Sequence, residues 1–394
     1  MIFWKRKKNI LILGAAGGVA NAFLRLLLKR RGLIGKLVLL DRSARLPENP
    51  AYTLIHQEIK LPGQEKRYCD ILKRYKIDLA IDLTDLDSLP LLKLTDQCGV
   101  SYFNTAMNGI GITTDELLDY VFKNREKINR GSHILCAGMN PGNVNLWVEH
   151  GVAQFGIPER IIHFEFDDSM TPNAWRPLVT WSRAKFLDEA VYEPGGKVLG
   201  RDKVEFIKPN ALKNMVDMRS LLSPVINLEK YPSGFPILHE ENITVGHRLD
   251  IPSEFIYAIH PQTIAFMKEK YDEQGTIKVE DLIAGDNVKV PLEGKDFIGV
   301  LLRYPDKNVY YHNAIANRDI SGTNATYQQV AIGVLVGLLA WLDGLKRGVY
   351  FTGDLYKSSA PKYLFDNMVV EEKVFAKNSG VLKLLSHNPR IKLN

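Results

Sequence analysis

Several groups of side chains have the types and spacing to do chemistry. Thr180-Trp181-Ser182 stands eight residues before Glu189. An indole face near a carboxylate holds an ammonium group by cation–π attraction and charge pairing together. A core aromatic and a surface charge are the plainer readings of Trp181 and Glu189. His239-Glu240-Glu241-Asn242 precedes a β-like run at 243–245, and on a strand His239 and Glu241 would share one face. A histidine beside a carboxylate moves protons or binds an amine, and a solvated acidic loop is the competing reading. Asn140-Pro141-Gly142-Asn143-Val144-Asn145 puts amide donors and acceptors in a turn that opens a helix containing Trp147. That turn reads as a helix cap or as a ligand contact. His260-Pro261 follows an apolar strand and reads as a turn.

A glycine loop supplies the other half of the chemistry. The apolar run 10–13 meets Gly14-Ala15-Ala16-Gly17-Gly18, and a helix-period segment starts at Val19. A second apolar run, 37–40, ends on Asp41 and Arg42, close to the ~20-residue offset of a dinucleotide-binding unit. Glycines admit a pyrophosphate to the backbone, the helix N-terminus offers it N–H groups, and Asp41 suits ribose hydroxyls. The spacing is G-x-x-G-G-x-A, not G-x-G-x-x-G. Taken alone it also fits a sugar epimerase, a methyltransferase or a tight turn without ligand. Asp41 repels a 2′-phosphate, which selects NAD over NADP; Arg42 is the neighbour that would accept one.

The elements that must position these residues alternate in the βα style as far as about residue 150. Strands are expected at 51–59, 77–83, 100–104 and 132–137, and helices at 64–75, 89–99 and 113–129. Such alternation predicts a Rossmann-type, doubly wound parallel sheet, α/β in class. Ligands gather at the carboxyl ends of such strands, which selects Gly14–Gly18, Asp41, Thr84–Asp87 (with Asp85), Thr105–Asn108 and Gly138–Asn145 as one rim. From about Ile161 the texture becomes α+β, with β-like segments at 161–166, 204–207, 242–245, 255–258, 297–303 and 308–313. A long apolar helix follows at 326–345. The expected division is a NAD-binding domain at 1–150, a substrate domain at 151–322, and a C-terminal helix and tail at 323–394 packing on the first.

Bulk properties narrow the class. The chain has 394 residues, 45% hydrophobic and 24% charged, with a net charge of +6. That length suits two or three domains. Basic residues cluster at Lys5-Arg6-Lys7-Lys8 and Lys29-Arg30-Arg31 without interleaved aromatics, so they read as solvated faces, not a nucleic-acid or membrane surface. Three cysteines (Cys69, Cys98, Cys136) make no disulfide framework and no zinc spacing, and read as buried reduced thiols in a cytoplasmic protein. No metal is expected. The apolar run 331–342 is shorter than the ~20 residues of a membrane span. Homodimerisation is the default for a symmetric assembly.

In this order the motifs resemble bacterial homospermidine synthase and the wider saccharopine dehydrogenase-like group. The likeness runs through the nucleotide loop and 138–145, similar to the family's A-N-P-G turn. It continues through 180–189 (T-W-S, then Glu), 237–245 (I-T-H-x-E-x-I-S-I in the family), 257–261 (Y-x-Y-H-P) and 324–328 at the start of the long helix. The resemblance implies polyamine biosynthesis as an oxidoreductase and transferase. NAD takes a hydride from putrescine, a second amine replaces ammonia in the imine, and the hydride returns to give homospermidine. It implies that Trp181 holds the cationic intermediate and that Glu189 and Glu241 bind ammonium groups. His239 would place or deprotonate an amine, and Asn140 would line the inner end. The family carries a further acidic residue after the strand ending here at Asn104-Thr105, where this chain has Ala106-Met107-Asn108.

Two other activities compete. A saccharopine dehydrogenase-like enzyme, acting on a secondary amine made from an amino acid and an oxo acid, needs cations on substrate carboxylates, with Arg176, Arg183 and Arg248 as candidates. An inactive NAD-binding scaffold would show no converging ionisable groups. The diamine reading predicts a negative pocket of Glu189, Glu241 and carboxylates such as Asp85.

Overall fold

The computed structural model describes residues 6–43, 49–285, 291–378 and 381–393, so Lys5 lies outside the described part. The chain forms two compact units, Met1–Asn143 with Val330–Leu364 and Val144–Gln329 with Phe365–Asn394.

The first unit begins β1 (Lys8–Leu13), α1 (Gly18–Leu28), β2 (Ile34–Asp41), β3 (Thr53–His56), α2 (Glu65–Tyr75), β4 (Leu79–Asp82), α3 (Ser88–Gln97), β5 (Ser101–Asn104), α4 (Thr114–Asn124) and β6 (Ser132–Leu135). Ile10, Leu11, Ile12 and Leu13 are all buried, as befits a central parallel strand covered on both faces. In α1, Ala20, Phe23, Leu24 and Leu27 follow helical spacing and are the buried face. Thr113 and Glu116 close a reciprocal capping box that starts α4.

The second unit opens with α5 (Val144–Phe155) and β7 (Arg160–Asp167), then β8 (Leu178–Val179) and α6 (Arg183–Leu187), which runs into a π-helical turn (Asp188–Tyr192). Next come β9 (Gly195–Gly200), β10 (Lys203–Ile207), β11 (Val216–Asp217), α7 (Arg219–Leu222), β12 (Ser233–Ile237), α8 (Glu240–Leu249), β13 (Ser253–Ile259) and α9 (Pro261–Gln274). After β14 (Ile283–Ala284), β15 (Lys295–Arg303) and β16 (Lys307–Ala316), α10 (Ala325–Gly344) leads to β17 (Gly348–Phe351), α11 (Ala360–Asn367), β18 (Glu371–Asn378) and β19 (Val381–Asn388).

The first sheet has seven strands in the order β3-β2-β1-β4-β5-β6-β17. Every neighbouring pair is parallel. That is the doubly wound order, with its switch point between β1 and β4. The expected Rossmann-type fold is therefore present, and the tail supplies a seventh strand that the sequence did not announce. The second sheet is mixed, with its long path running β10-β9-β13-β7-β15-β16-β18-β19. Side chains of β7 and β13 divide between two apolar clusters. Phe255, Tyr257 and Ile259 face one, while Ile162, Phe164, Phe166 and Ile256 face the other.

One expectation needs correction. Residues 242–245 are not a strand but part of α8. The Asn242 side-chain oxygen accepts a bond from the His239 backbone N–H at 2.9 Å, and Glu240 and Glu241 occupy the favourable first turn. That capping chemistry overrides the β-branched Ile243 and Thr244. The apolar run 331–342 lies in a 20-residue helix, long and apolar enough by composition for a membrane span. Its Ala331, Val334, Leu335 and Leu338 are buried, and a Cβ on Gly333 would fall 2.2 Å from the Gly138 carbonyl oxygen.

Candidate active site

In the first unit the strands deliver their polar ends to the switch point. Gly14 leaves β1 at φ +72, its N–H bonded to the Leu40 carbonyl. A Cβ there would lie 2.5 Å from the Leu83 carbonyl oxygen, so only glycine fits between β1 and the loop after β4. Gly17 is the N-cap of α1 and has no side chain to satisfy the first N–H groups, and the first turn at Gly18 and Val19 carries no acid. That leaves the helix end open to an anion. Asp41 ends β2 and accepts bonds from the N–H groups of Ala16 (2.9 Å) and Ser43 (2.7 Å). Its carboxylate is thereby fixed beside the loop, with acceptor capacity remaining for hydroxyls.

Arg42 is exposed and pairs with Glu58 at 3.3 Å. Its guanidinium therefore already has a partner, while Asp41 is anchored. Asp41→Ala is expected to narrow the preference for NAD over NADP by roughly tenfold or more in direct binding titrations, because a fixed carboxylate disfavours a 2′-phosphate by about 1–2 kcal/mol. A wild-type protein that binds NADP more tightly than NAD would overturn this assignment.

After β4, Thr84 donates to Asp82 through its hydroxyl (2.6 Å) and its N–H (3.1 Å), and Tyr102 donates to the same carboxylate at 2.7 Å. Burial pushes Asp82 up to about 6, against these stabilising bonds. Asp85 is exposed and Thr105 half-buried. Asn140, also half-buried, lies in the loop after β6 in this first unit.

The second unit gathers the ionisable groups, and it does so from its own residues. His239, the N-cap of α8, is only 7% exposed. Its Nδ1 contacts Glu241 Oε2, and its Nε2 stands 3.5 Å from Glu189 and 3.6 Å from Glu240. Glu189 comes from the π-helical turn, an irregularity often found at functional sites. Burial alone would push the imidazole down, but Glu241, Glu240 and Glu189 outweigh it and hold His239 well above its ordinary value. Glu193, close behind, is pushed up by burial and then by the negative charges of Glu189 and Asp188. Glu241 is 1% exposed, and its Oε1 has no hydrogen-bond partner among the described residues.

The raised value has a signed consequence. The stability that His239 gains from protonation is fully present below its ordinary value of 6.5 and is lost as pH rises through the raised one. The advantage of wild type over His239→Gln in denaturant unfolding should thus be larger near pH ~6 than near pH ~9. An advantage that grows with pH would contradict it.

Next to the histidine stands an aromatic wall. The His239 ring lies 5.4 Å from Phe255, which stacks on Tyr257 at 6.0 Å. Trp181 donates its indole N–H to the Tyr257 hydroxyl at 2.9 Å and meets Phe186 edge-on at 6.1 Å. Beyond this wall is a second acidic group that sequence reasoning missed. Register places Tyr257 opposite Glu165, and Asp167 opposite both Ile259 and Asp296. The alternation of side chains therefore puts Glu165, Asp167 and Asp296 on one face with Tyr257. Asp167 takes bonds from the Thr180 hydroxyl and the Ser169 N–H, and Asp296 takes one from Thr326 at 2.9 Å. Burial, then the Asp167 charge, pushes Asp296 well above the carboxylate range. The signal was available: Glu165 and Asp167 alternate within an apolar strand, where charge is costly without purpose.

The structure thus brings Glu189, His239 and Glu241 into one cluster, with Trp181 linked to it through Tyr257 and Phe255. Glu241 and His239 meet at a helix N-terminus, not along one strand face. His260 caps α9, its Nδ1 accepting from Gln262. The three arginines do not converge. Arg183 is spent on the carbonyls of Val279 and Leu282, Arg248 pairs with Glu149, and Arg176 is exposed.

No family model matches the chain, and no curated protein matches it. Solved structures do. The chain is similar to a dipicolinate-bound dihydrodipicolinate reductase from a Paenisporosarcina species, at 11% identity over 89% of this chain and 99% of that one, with a TM-score of 0.39. An amine dehydrogenase from Mycobacterium smegmatis shows 11% identity over 88% and 95%, TM-score 0.42. A myo-inositol dehydrogenase from Corynebacterium glutamicum shows 10% over 91% and 94%, also 0.42. Similarity at this level does not extend to activity.

Proposed function

We propose that this chain is a NAD-dependent oxidoreductase of cationic amines, acting on putrescine or a related diamine in the manner of a homospermidine synthase. The observation that carries the reading is a buried histidine enclosed by the three carboxylates of Glu189, Glu240 and Glu241. An enzyme for oxo acids would present arginines or lysines there in place of the three carboxylates.

The residues of the first unit fit a dinucleotide. The glycine-only passage at Gly14, the uncapped α1 N-terminus at Gly17, Gly18 and Val19, and the backbone of Ala16 would take the pyrophosphate. Asp41 would take the ribose, and Thr84, Asp85 and Thr105 continue the rim. NAD, when bound, supplies a hydride acceptor for the amine-bearing carbon and the donor that later reduces the imine.

The remaining steps belong to the side chains. An arriving ammonium is attracted by the carboxylates that His239 now occupies. Its positive charge lowers the affinity of His239 for its own proton, which passes to water at the exposed edge of the ring. The neutral imidazole then takes a proton from the amine, which is required before hydride can leave the adjacent carbon. The iminium that results is stabilised by the Trp181 and Tyr257 faces and by Glu189 and Glu241. A diamine has a second ammonium, and the trio Glu165, Asp167 and Asp296 provides the anionic partner that the loop after Asn104 lacks.

The test is one incubation of the purified protein with NAD and putrescine, following homospermidine, ammonia and NADH. Homospermidine with little net NADH is the expected result. NADH that accumulates without homospermidine would mark a simple amine dehydrogenase, and no turnover would sink the diamine reading. His239, Glu240 and Glu241 also offer ligand atoms within 4.8 Å of one another. Turnover abolished by a chelator and restored by a divalent cation would recast the cluster as a metal site.

A further inference from the structure

The first unit carries a pair of half-buried thiols that the proposed reaction does not use. Cys69 lies on α2 and Cys98 is the C-cap of α3, and their sulfurs are 2.8 Å apart. Separation in sequence is 29 residues, so the approach is tertiary. It is about 0.8 Å longer than a disulfide bond and closer than two sulfurs rest without bonding. The helices are held in register beside the pair. Tyr68, next to Cys69, bonds Thr95 at 2.8 Å in the buried contact between α2 and α3, and the Cys98 N–H bonds the Leu94 carbonyl. The expectation of three buried thiols thus holds for Cys136 but not for these two.

We propose that Cys69 and Cys98 are a modification site, a reversible disulfide formed by peroxide, which ties α2 to the end of α3. Burial, then the adjacent thiol, pushes Cys98 up to about 12, and the charge of Lys73 works the other way on it. The Cys69 thiolate attacks a peroxide oxygen, giving a sulfenic acid and, with a proton, water. Cys98 then attacks the sulfenic sulfur, the S–S bond forms, and a second water leaves. The balance is two thiols and one hydrogen peroxide to one disulfide and two waters. The closed loop encloses all of β4 and α3, including Asp82, Thr84 and Asp85, so the crosslink restrains the switch-point rim without touching it.

The test uses the full chain with one equivalent of hydrogen peroxide, followed by thiol counting under denaturing conditions and peptide mass spectrometry. Two of the three thiols should disappear, a Cys69 peptide should be joined to a Cys98 peptide, and a dithiol should restore both. The melting temperature of the oxidised protein should rise, on the order of 5–10 °C. Cys136→Ser should retain the crosslink, whereas Cys69→Ser and Cys98→Ser should lose it. Three surviving thiols, or oxygen added to single cysteines without a joined peptide, would overturn the proposal, and both are read on wild type alone.

Discussion

In Glu241→Gln the His239 imidazole should titrate well below its wild-type position, and amine turnover should fall by roughly 100-fold in kcat/KM, about 2.7 kcal/mol. The substitution keeps volume and one carbonyl acceptor but removes the charge in direct contact with Nδ1. Glu241 is also the largest of the attractions that lift the histidine against burial. With Glu189 and Glu240 at 3.5 and 3.6 Å, some elevation should survive. Loss of one partner of a buried charge-paired group typically costs 2–5 kcal/mol, which brackets the expected effect. Histidine ring shifts followed by NMR against pH check the first half without any substrate. Dinucleotide affinity should not move, since Asp41 and Gly14 belong to the other unit. Wild-type kcat/KM for putrescine in the variant would remove Glu241 from the site.

Gly14→Ala should weaken dinucleotide binding by at least 100-fold and lower the melting temperature by several degrees. Two costs add. Alanine at φ +72 is strained by about 1–2 kcal/mol, and its Cβ would meet Leu83 O at 2.5 Å and Thr84 Cγ2 at 2.9 Å. The backbone must yield where the strand ends converge. Gly99→Ala is the matched control. Gly99 has φ +70 with nothing within 4 Å of its would-be Cβ, so it should show the strain and none of the collision. Calorimetry and NAD titration on both variants separate the costs. Equal NAD affinity in the two would show that the passage beside Leu83 has no bearing on the ligand.

Much of the first unit could be read from sequence because its parallel strands are apolar along their length and end on polar residues. The run 10–13 and Asp41 are cases where local pattern and tertiary role coincide. Trp181, Glu189, His239 and Glu241 were likewise marked by residue type and spacing. What escaped was set by contacts distant in the chain. Ile243 and Thr244 favour a strand locally, but the His239–Asn242 cap decides for a helix. Asp296 meets Asp167 only through sheet register, across more than a hundred residues. Arg183 reads as a candidate anion receptor until the carbonyls of Val279 and Leu282 are seen to occupy it.

The strand order also sets a schedule for synthesis. β6 pairs with β5 on one side, but its other edge waits for β17, which begins at Gly348, more than two hundred residues after β6 ends at Leu135. At ribosomal speeds of about 5–20 residues per second, that edge goes unpaired for roughly 10–40 s. The intervening chain holds most of the second unit, without β18 and β19, and that part has time to collapse while the first sheet lacks its last strand. A nascent chain halted before residue 348 would carry an open, apolar parallel edge, the kind that recruits a neighbour's strand. Chains truncated before residue 348 should therefore bind chaperones more strongly than the 394-residue chain, read as the chaperone that co-purifies with each.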